Sequence, residues 1–293
     1  MSKEQEEKVF HKTSINWYPG HMAKTKKQII DTLPIVDIVF ELIDSRIPNS
    51  SKIKDIESLT KNKPRILIMS KADLCDINET NKWVKKYEED GYKVVLANLN
   101  NPNDIKKINN IALELGKSIN EIRINKGLKP KEINALVVGI PNVGKSTFIN
   151  KMAGKKVAGV GNTPGVTKNL VWLKTNMNIL LLDTPGILWP KFANMEESLN
   201  LASFQAIKED ILPVDEVAIH ILTKLDKYYN NILKDRYKID HVEYDDIVIT
   251  YDAIGKKIGA LISGGEIDYD RVSKAIINDI RNEHIKGITF DRI

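Results

Sequence analysis

Two patterns of apolar positions divide the chain. Up to about residue 195, short runs rich in Val, Ile and Leu alternate with longer amphipathic segments. Short apolar runs predict buried strands, and apolar positions repeating every three or four residues predict helices. The predicted strands are 35–43, 65–69, 93–97, 133–138, 170–174 and 178–182. The predicted helices between them are 22–33, 51–60, 76–90, 104–122 and 148–153.

This alternation predicts an α/β domain over residues 15–195, with a mostly parallel sheet between two layers of helices. The segment 170–174 followed by 178–182 is typical of a hairpin within that sheet. From 196 to 293 the strand pattern fades. Amphipathic segments at 199–207, 214–225 and 251–261 predict a smaller, all-α domain there. The polar residues 1–14 are predicted to be a mobile tail.

Composition narrows the possible environments. The chain is 42% hydrophobic and 28% charged, as in ordinary globular proteins, and carries one cysteine, Cys75. A single cysteine excludes an internal disulfide and a multi-cysteine zinc site. We find no signal-peptide pattern near the N-terminus and no apolar run approaching the roughly 20 residues that span a bilayer. We therefore expect a cytoplasmic protein with no membrane partner.

Charge is unevenly distributed. The net charge of +5 comes from the first two thirds of the chain, since residues 197–293 carry more acidic than basic side chains. A basic surface suits a polyanion such as RNA, and a solvated lysine-rich face is the alternative.

The strongest motif is the stretch GIPNVGKST at 139–147, which fits the phosphate-loop pattern G-x-x-x-x-G-K-[ST]. A predicted strand precedes it and a predicted helix follows it, which is the context that the motif requires. Its backbone N–H groups and the helix dipole attract phosphate, Lys145 reaches the β/γ oxygens, and the Ser146 hydroxyl can bind magnesium. The phosphate-binding residues predicted here are Asn142, Val143, Gly144, Lys145, Ser146 and Thr147.

A second phosphate element, Asp-Thr-Pro-Gly at 183–186, follows the predicted strand 178–182. In this pattern Asp183 holds magnesium through water and the Gly186 N–H contacts the γ-phosphate. Between the two phosphate motifs, Thr167 is the candidate for a switch threonine that reaches magnesium only when the γ-phosphate is present, and Thr163 is its rival. The predicted magnesium site is therefore Ser146, Thr167 and Asp183.

The base is predicted from Ser-Lys-Ala-Asp at 70–73, at the carboxyl end of a strand. The Asp73 carboxylate can accept two N–H bonds from the edge of guanine, whereas adenine presents the wrong pattern, so we expect GTP and GDP. Ser70 stands where GTPases usually have asparagine. We expect it to lose the amide's contacts to base and loop, at a cost of about 1 kcal/mol, without a change of base.

A backbone N–H in the segment 97–99 is expected to meet the guanine oxygen. The base-binding residues predicted from the two segments are Ser70, Lys71, Ala72, Asp73, Asn98 and Leu99.

The base motif precedes the phosphate loop, whereas ordinary GTPases have the opposite order. This order predicts a circularly permuted domain, which preserves the sheet because chain termini often lie close together at the surface. The segment after Gly186 then leads directly into the helical domain, so the γ-phosphate is expected to reposition that domain.

These motifs, with Asn-Trp-Tyr-Pro-Gly-His-Met at 16–22, closely resemble in their order the circularly permuted GTPases of the ribosome biogenesis GTPase A family. The resemblance covers nearly the whole chain. It implies a GTPase that binds a late precursor of the large (50S) ribosomal subunit through rRNA and ribosomal proteins. It also implies that the particle stimulates hydrolysis and that the protein leaves afterwards.

The resemblance further implies that the helical domain contacts rRNA, although this domain is net acidic here. Arg271, Lys274 and Arg281, near one face of a predicted helix, are the candidate contacts, and surface residues without that role are the alternative. A monomer is the default expectation.

The sequence has Ile187 where many GTPases carry a water-orienting glutamine. The resemblance implies that His21 replaces it, with helix capping, packing or RNA binding as alternatives for this histidine. It also implies that Asn142 helps to hold a potassium ion beside the phosphates, with a purely structural amide as the alternative.

Three other functions are alternatives to this one. A GTP-gated RNA-binding scaffold with incidental hydrolysis is the main alternative. Permuted GTPases of the small subunit carry a cysteine-rich zinc site or an extra β-barrel, which this sequence does not accommodate. A small-molecule kinase would leave the guanine motif unexplained.

Overall fold

The computed structural model describes residues 20–60, 63–158, 170–175, 178–186, 194–207 and 211–293, with the backbone alone for residues 20–23, 55 and 57. The predicted tail at 1–14 lies outside these ranges. None of the helices within them has the length and apolar character that crossing a bilayer requires.

Six strands form one sheet in the order β3-β2-β1-β4-β6-β5. The strands are β1 Ile38–Asp44, β2 Arg65–Ser70, β3 Lys93–Leu96, β4 Ile133–Gly139, β5 Val171–Lys174 and β6 Ile179–Asp183. All neighbours run parallel except β5 and β6, which pair antiparallel. The predicted mostly parallel sheet with one hairpin is therefore confirmed.

The helices cover both faces of this sheet and then continue alone. They are α1 Gly20–Thr32, α2 Lys54–Thr60, α3 Ile77–Glu89, α4 Pro102–Asn125, α5 Lys145–Ala153, α6 Met195–Ser203, α7 Val214–Tyr228, α8 Asn230–Tyr237, α9 Ile247–Ile258 and α10 Tyr269–Arg281. Because helices cover both faces, the central strand β1 is buried at every position, which explains why all its residues except Glu41 and Asp44 are apolar.

Several boundaries differ from the predicted ones for local reasons. Residue 35 belongs to a short 3-10 helix beginning at Leu33, in which Pro34 occupies an early position, and β1 starts three residues later. The α6 helix begins at Met195 because the Asn194 side chain caps it by accepting from Glu197 N. Helix α8 was not predicted, since its polar sequence has only a weak apolar stripe.

Residues 287–291, here called the docking segment, connect the helical part to the sheet part. The backbone N–H groups of Gly287 and Ile288 donate to Leu74 O, and Phe290 N–H donates to Arg46 O. The buried hydrophobic side chains of the sheet and of helices α6–α10 also form one continuous cluster. A boundary between two domains at residue 195 stays a prediction.

The Asp291 carboxylate is the polar centre of this junction. It accepts hydrogen bonds from Ser50 N (2.7 Å), Ser50 Oγ (2.7 Å) and Asn200 Nδ2 (2.8 Å). All three residues are buried. One side chain therefore joins the loop after β1, helix α6 and the docking segment.

Candidate nucleotide-binding site

The predicted nucleotide motifs meet at the carboxyl edge of the sheet. The base loop, residues 70–73, follows β2, and the phosphate loop, residues 139–147, follows β4. Strand β1 lies between β2 and β4 and pairs with both in parallel. Because parallel strands end at the same edge, the two loops face each other across the end of β1.

The phosphate loop has the backbone geometry that its motif requires. Asn142 (φ +59°) and Gly144 (φ +99°) both adopt left-handed conformations. A Cβ on Gly139 would lie 2.7 Å from Leu42 O, so only glycine fits at the end of β4. Helix α5 starts directly at Lys145, three residues before the predicted start, which places Ser146 and Thr147 in its first turn. The loop therefore opens onto a helix N-terminus, where anions bind.

Lys145 is buried and held against its own loop. Its Nζ donates to Gly139 O (3.1 Å) and Ile140 O (2.8 Å). Burial lowers the pKa of Lys145 to about 8, although the Asp183 carboxylate opposes the shift. Such an amine gains charge when an anion approaches.

We expect nucleotide binding to be linked to protonation of Lys145. Bound phosphate should raise the pKa of this amine above the value of about 8 that it has in the nucleotide-free protein. Nucleotide binding therefore takes up protons near and above pH 8. Affinity for GDP should fall as the pH rises through that range and stay flat below about pH 7. Calorimetry at pH 8.5 in buffers of different ionisation enthalpy measures this uptake. Lys145→Arg, which keeps its charge, is the control; equal heats for the wild type in all buffers would contradict the linkage.

The second phosphate element lies directly against the phosphate loop. A Cβ on Gly186 would lie 2.7 Å from Pro141 N, so the two backbones are in close contact. Asp183 is buried at the end of β6, in register with Val137 of β4. The Ser146 hydroxyl and the Asp183 carboxylate are hard oxygen ligands of the kind that Mg²⁺ prefers, and the register with Val137 places Asp183 beside the strand that leads into the phosphate loop.

The Ser70 hydroxyl joins the base loop to the phosphate loop. Ser70 Oγ lies 2.7 Å from Val143 O and 3.0 Å from Ile43 O, and it donates its single proton to one of them at a time. The expectation that Ser70 loses the contact to the phosphate loop is therefore wrong. The hydroxyl reaches because Ser70 is completely buried at the end of β2, directly beside the loop.

Asp73 is well placed to accept a ligand. Its side chain is exposed, and no hydrogen bond or ion pair to its carboxylate occurs among the described residues. The loop beneath it is fixed, because Ala72 N–H donates to Ala97 O and Leu74 N–H donates to Lys71 O. Lys71 has a left-handed backbone (φ +59°), which costs a non-glycine residue about 1–2 kcal/mol and requires support from its surroundings.

The two candidate residues in the segment after β3, Asn98 and Leu99, differ in whether their backbone N–H already has an acceptor. Asn98 N–H donates to the Asp104 carboxylate (2.9 Å), so it is already engaged and does not fit the predicted bond to the guanine oxygen. Leu99 N–H has no acceptor among the described residues and stays a candidate. Leu99 Cδ1 also lies 3.0 Å from the position that a Cβ on Gly144 would take, so this segment contacts the phosphate loop.

Three contacts at the site were not predicted from the sequence. Asp44, at the end of β1, forms ion pairs with Arg46 (2.8 Å) and with Lys71 of the base loop (2.9 Å). Asn142 Nδ2 donates to Gln205 O (2.7 Å), just beyond α6, so the phosphate loop contacts the helical part directly. The position of Asp44 after a buried parallel strand could have identified it; nothing local points to Gln205.

Some predicted residues lie outside the described part. Thr163, Thr167 and Ile187 belong to undescribed ranges, and His21 is in the first turn of α1 without a described side chain. In α10, Arg271 and Lys274 are exposed, whereas Arg281 Nη2 donates to Ala202 O (3.3 Å). The predicted basic face of α10 is therefore partly used within the protein.

Comparison with known proteins identifies the kind of site. A protein-family model described as a 50S ribosome-binding GTPase matches residues 134–249, beginning in the strand before the phosphate loop. The GNP-bound structure of YlqF from T. maritima is similar in fold, with a TM-score of 0.64 at 22% identity over 92% of this chain and 98% of that one.

The sequence similarity to characterised relatives extends over almost the whole chain. Ribosome biogenesis GTPase A from Bacillus licheniformis is 44% identical, and the alignment covers 95% of this chain and 98% of that protein. The protein of the same name from Bacillus cereus is 41% identical, over 94% and 93% respectively. Guanine-nucleotide binding, typically with Mg²⁺, and GTP hydrolysis follow from this relationship. The chain belongs to the ribosome biogenesis GTPase A family, and is thus a GTPase of ribosome biogenesis.

Proposed function

We propose that this protein acts late in the assembly of the large ribosomal subunit. In this proposal it binds a 50S precursor in its GTP form, hydrolyses GTP faster on that particle, and leaves as the GDP form. The observation that carries the proposal is the direct contact between the phosphate loop and the helical part, Asn142 Nδ2 to Gln205 O. A change at the phosphates can pass through this hydrogen bond to the surface that meets the particle.

The choice of the large subunit rests on the relatives. The description of the matching family model includes binding to the 50S ribosome, and it applies to that family. We propose rRNA and ribosomal proteins as the partners, with the exposed Arg271 and Lys274 of α10 among the contacts. We also propose that the protein works as a cytoplasmic monomer.

For the nucleotide, we propose that Asp73 accepts from the guanine edge and that Lys145 and the N–H groups of the phosphate loop hold the phosphates. Ser146 and Asp183, with Thr167, would hold Mg²⁺. The ion would neutralise charge on the β- and γ-phosphate oxygens. Asn142 offers a side-chain oxygen of the type that binds K⁺, and we propose it as the potassium ligand.

His21 is the proposed group that orients the attacking water, since Ile187 has no side chain for this task. It lies in the first turn of α1. Docking to the particle would fix this segment and bring the imidazole to the γ-phosphate. Without the particle we expect turnover on the order of 10⁻⁴ per second, as in an unassisted GTPase.

The test is GTP hydrolysis in potassium buffer with and without purified large subunits, for the wild type and His21→Ala. We expect the particle to accelerate the wild type by about 10²–10⁴-fold, the range of a positioned acid-base group, and the variant to bind the particle without responding. His241→Ala, which removes an exposed histidine paired with Glu243, is the matched control and should behave as the wild type. If a saturating amount of the particle leaves the wild-type rate of GTP hydrolysis unchanged, hydrolysis does not time release from the particle. The protein would then be a GTP-gated RNA-binding scaffold.

A further inference from the structure

The end of β1 carries a buried acid that the nucleotide motifs do not include. Asp44 lies between the base loop and the phosphate loop and is 2% exposed. Its carboxylate accepts four hydrogen bonds. Oδ1 accepts from Arg46 N and Arg46 Nε (3.0 Å each), and Oδ2 accepts from Arg46 Nη2 (2.8 Å) and Lys71 Nζ (2.9 Å).

The carboxylate is held rigidly in place. The bidentate guanidinium of Arg46 fixes its plane. The backbone N–H of Asp44 donates to Ser51 Oγ (2.9 Å), which anchors the end of β1 to the following loop. Burial alone would raise the pKa of Asp44, but Arg46 and Lys71 hold it well below its usual range, so the carboxylate stays ionised.

Lys71 connects Asp44 to the base loop through their ion pair. It sits between Ser70, which is bonded to the phosphate loop, and Ala72, which is bonded to Ala97 O. Its backbone is left-handed, a conformation that lysine keeps only where its surroundings impose it. The ion pair with Asp44 fixes the side chain of this strained residue, and Asp73 follows two residues later.

We infer that Asp44 is a positioning residue for guanine recognition, which holds the base loop through Lys71 so that Asp73 meets the guanine edge. The inference rests on the proposed role of Asp73 as the acceptor for guanine. It goes beyond that role because it assigns part of the base selectivity to a different strand, β1.

Comparing GDP with inosine diphosphate isolates this effect. Hypoxanthine lacks the exocyclic amino group of guanine, so the ratio of the two dissociation constants reports one of the two bonds to Asp73. A carboxylate that is mispositioned loses this discrimination, whereas a general loss of stability does not change the ratio in the folded fraction. Calorimetry or fluorescence titration of both nucleotides measures it.

We expect Asp44→Asn to lower the preference for GDP over inosine diphosphate by ~10-fold, the factor carried by about one charge-assisted hydrogen bond. Lys71→Met removes the same ion pair from its less buried end and should give the same loss. The double variant should be no worse than either single one, because both act through one interaction. If Asp44→Asn fails to fold, Lys71→Met still carries the test.

Glu41→Gln is the matched control. Glu41 is also a buried acid on β1 and pairs with Arg65 (3.4 Å), away from the carboxyl edge. The Glu41→Gln variant should be less stable than the wild type but keep the same ratio of dissociation constants for GDP and inosine diphosphate.

Asp73→Asn distinguishes a failure of the positioning role from a failure of the assigned base acceptor. If it abolishes the preference while Asp44→Asn and Lys71→Met leave it intact, the positioning role is overturned. If Asp73→Asn also leaves it intact, the base acceptor itself is wrongly assigned.

Discussion

Replacing Asp73 by asparagine is expected to move the base preference from guanine to xanthine. Guanine presents two N–H donors to this carboxylate, and an amide can accept only one of them. Each hydrogen bond to a charged acceptor contributes about 1.5–3 kcal/mol, so the loss of one should lower the affinity for GDP about 10- to 150-fold. Xanthine carries a carbonyl in place of the amino group, and the new amide N–H can donate to it.

Titration of GDP, xanthosine diphosphate and ADP against the wild type and the variant measures this change. Asp73 is exposed and its carboxylate has no partner among the described residues, so we expect the variant to fold as the wild type does. Glu79→Gln changes a nearby acid in α3 that pairs with Lys82 and should leave all three affinities unchanged. A variant that loses GDP and ADP equally, without gaining xanthosine diphosphate, would contradict the assignment.

The largest effect on stability is expected from Asp291→Ala. This substitution leaves the buried Ser50 N–H without its acceptor and removes one of the two acceptors of the buried Asn200 Nδ2, which keeps Ser50 Oγ. Breaking a buried charged network typically costs about 3–5 kcal/mol, because donors taken out of water lose their partners. The free energy of unfolding, measured in denaturant, should fall by this amount.

Asp252→Ala is the control for that measurement. Asp252 accepts a hydrogen bond from Tyr269 at the surface of the helical part, so its loss should change stability little. Equal stabilities for Asp291→Ala and the wild type would mean that the docking segment contributes little to holding the two parts together.

The sequence predicted the features that follow from local pattern. Apolar runs located the six strands, and the phosphate-loop motif located the turn between β4 and α5. The order of the motifs also predicted the permuted arrangement. The strands and the strand-loop-helix arrangement were predicted correctly because each leaves a contiguous signature in the sequence, whereas phosphate binding by the individual loop residues stays a prediction.

The contacts that were missed join residues far apart in the chain. Asp291 meets Ser50 across 241 positions, and Ser70 meets Val143 across 73. No periodicity encodes such pairings, because they arise only when strands and helices pack. Asn98 shows a related limit: its position was predicted, but its N–H is taken by Asp104, a helix residue six positions later. The roles of His21 and Thr167 stay predictions.

The exposed linker between α4 and β4 separates two parts of the site that are synthesised one after the other. The residues proposed to select the base lie before it and those proposed to bind phosphate lie after it, so each half of the proposed site is contiguous in the chain. Strands β1 to β3 can pair through local closures, whereas β1 meets β4 only across long separations, such as the 97 residues between Asp37 and Asn134. During synthesis the base half emerges first, and we expect it to begin folding first. The capacity to bind a whole nucleotide should then arise late, once β4 has paired with β1 and β6 has paired with β4.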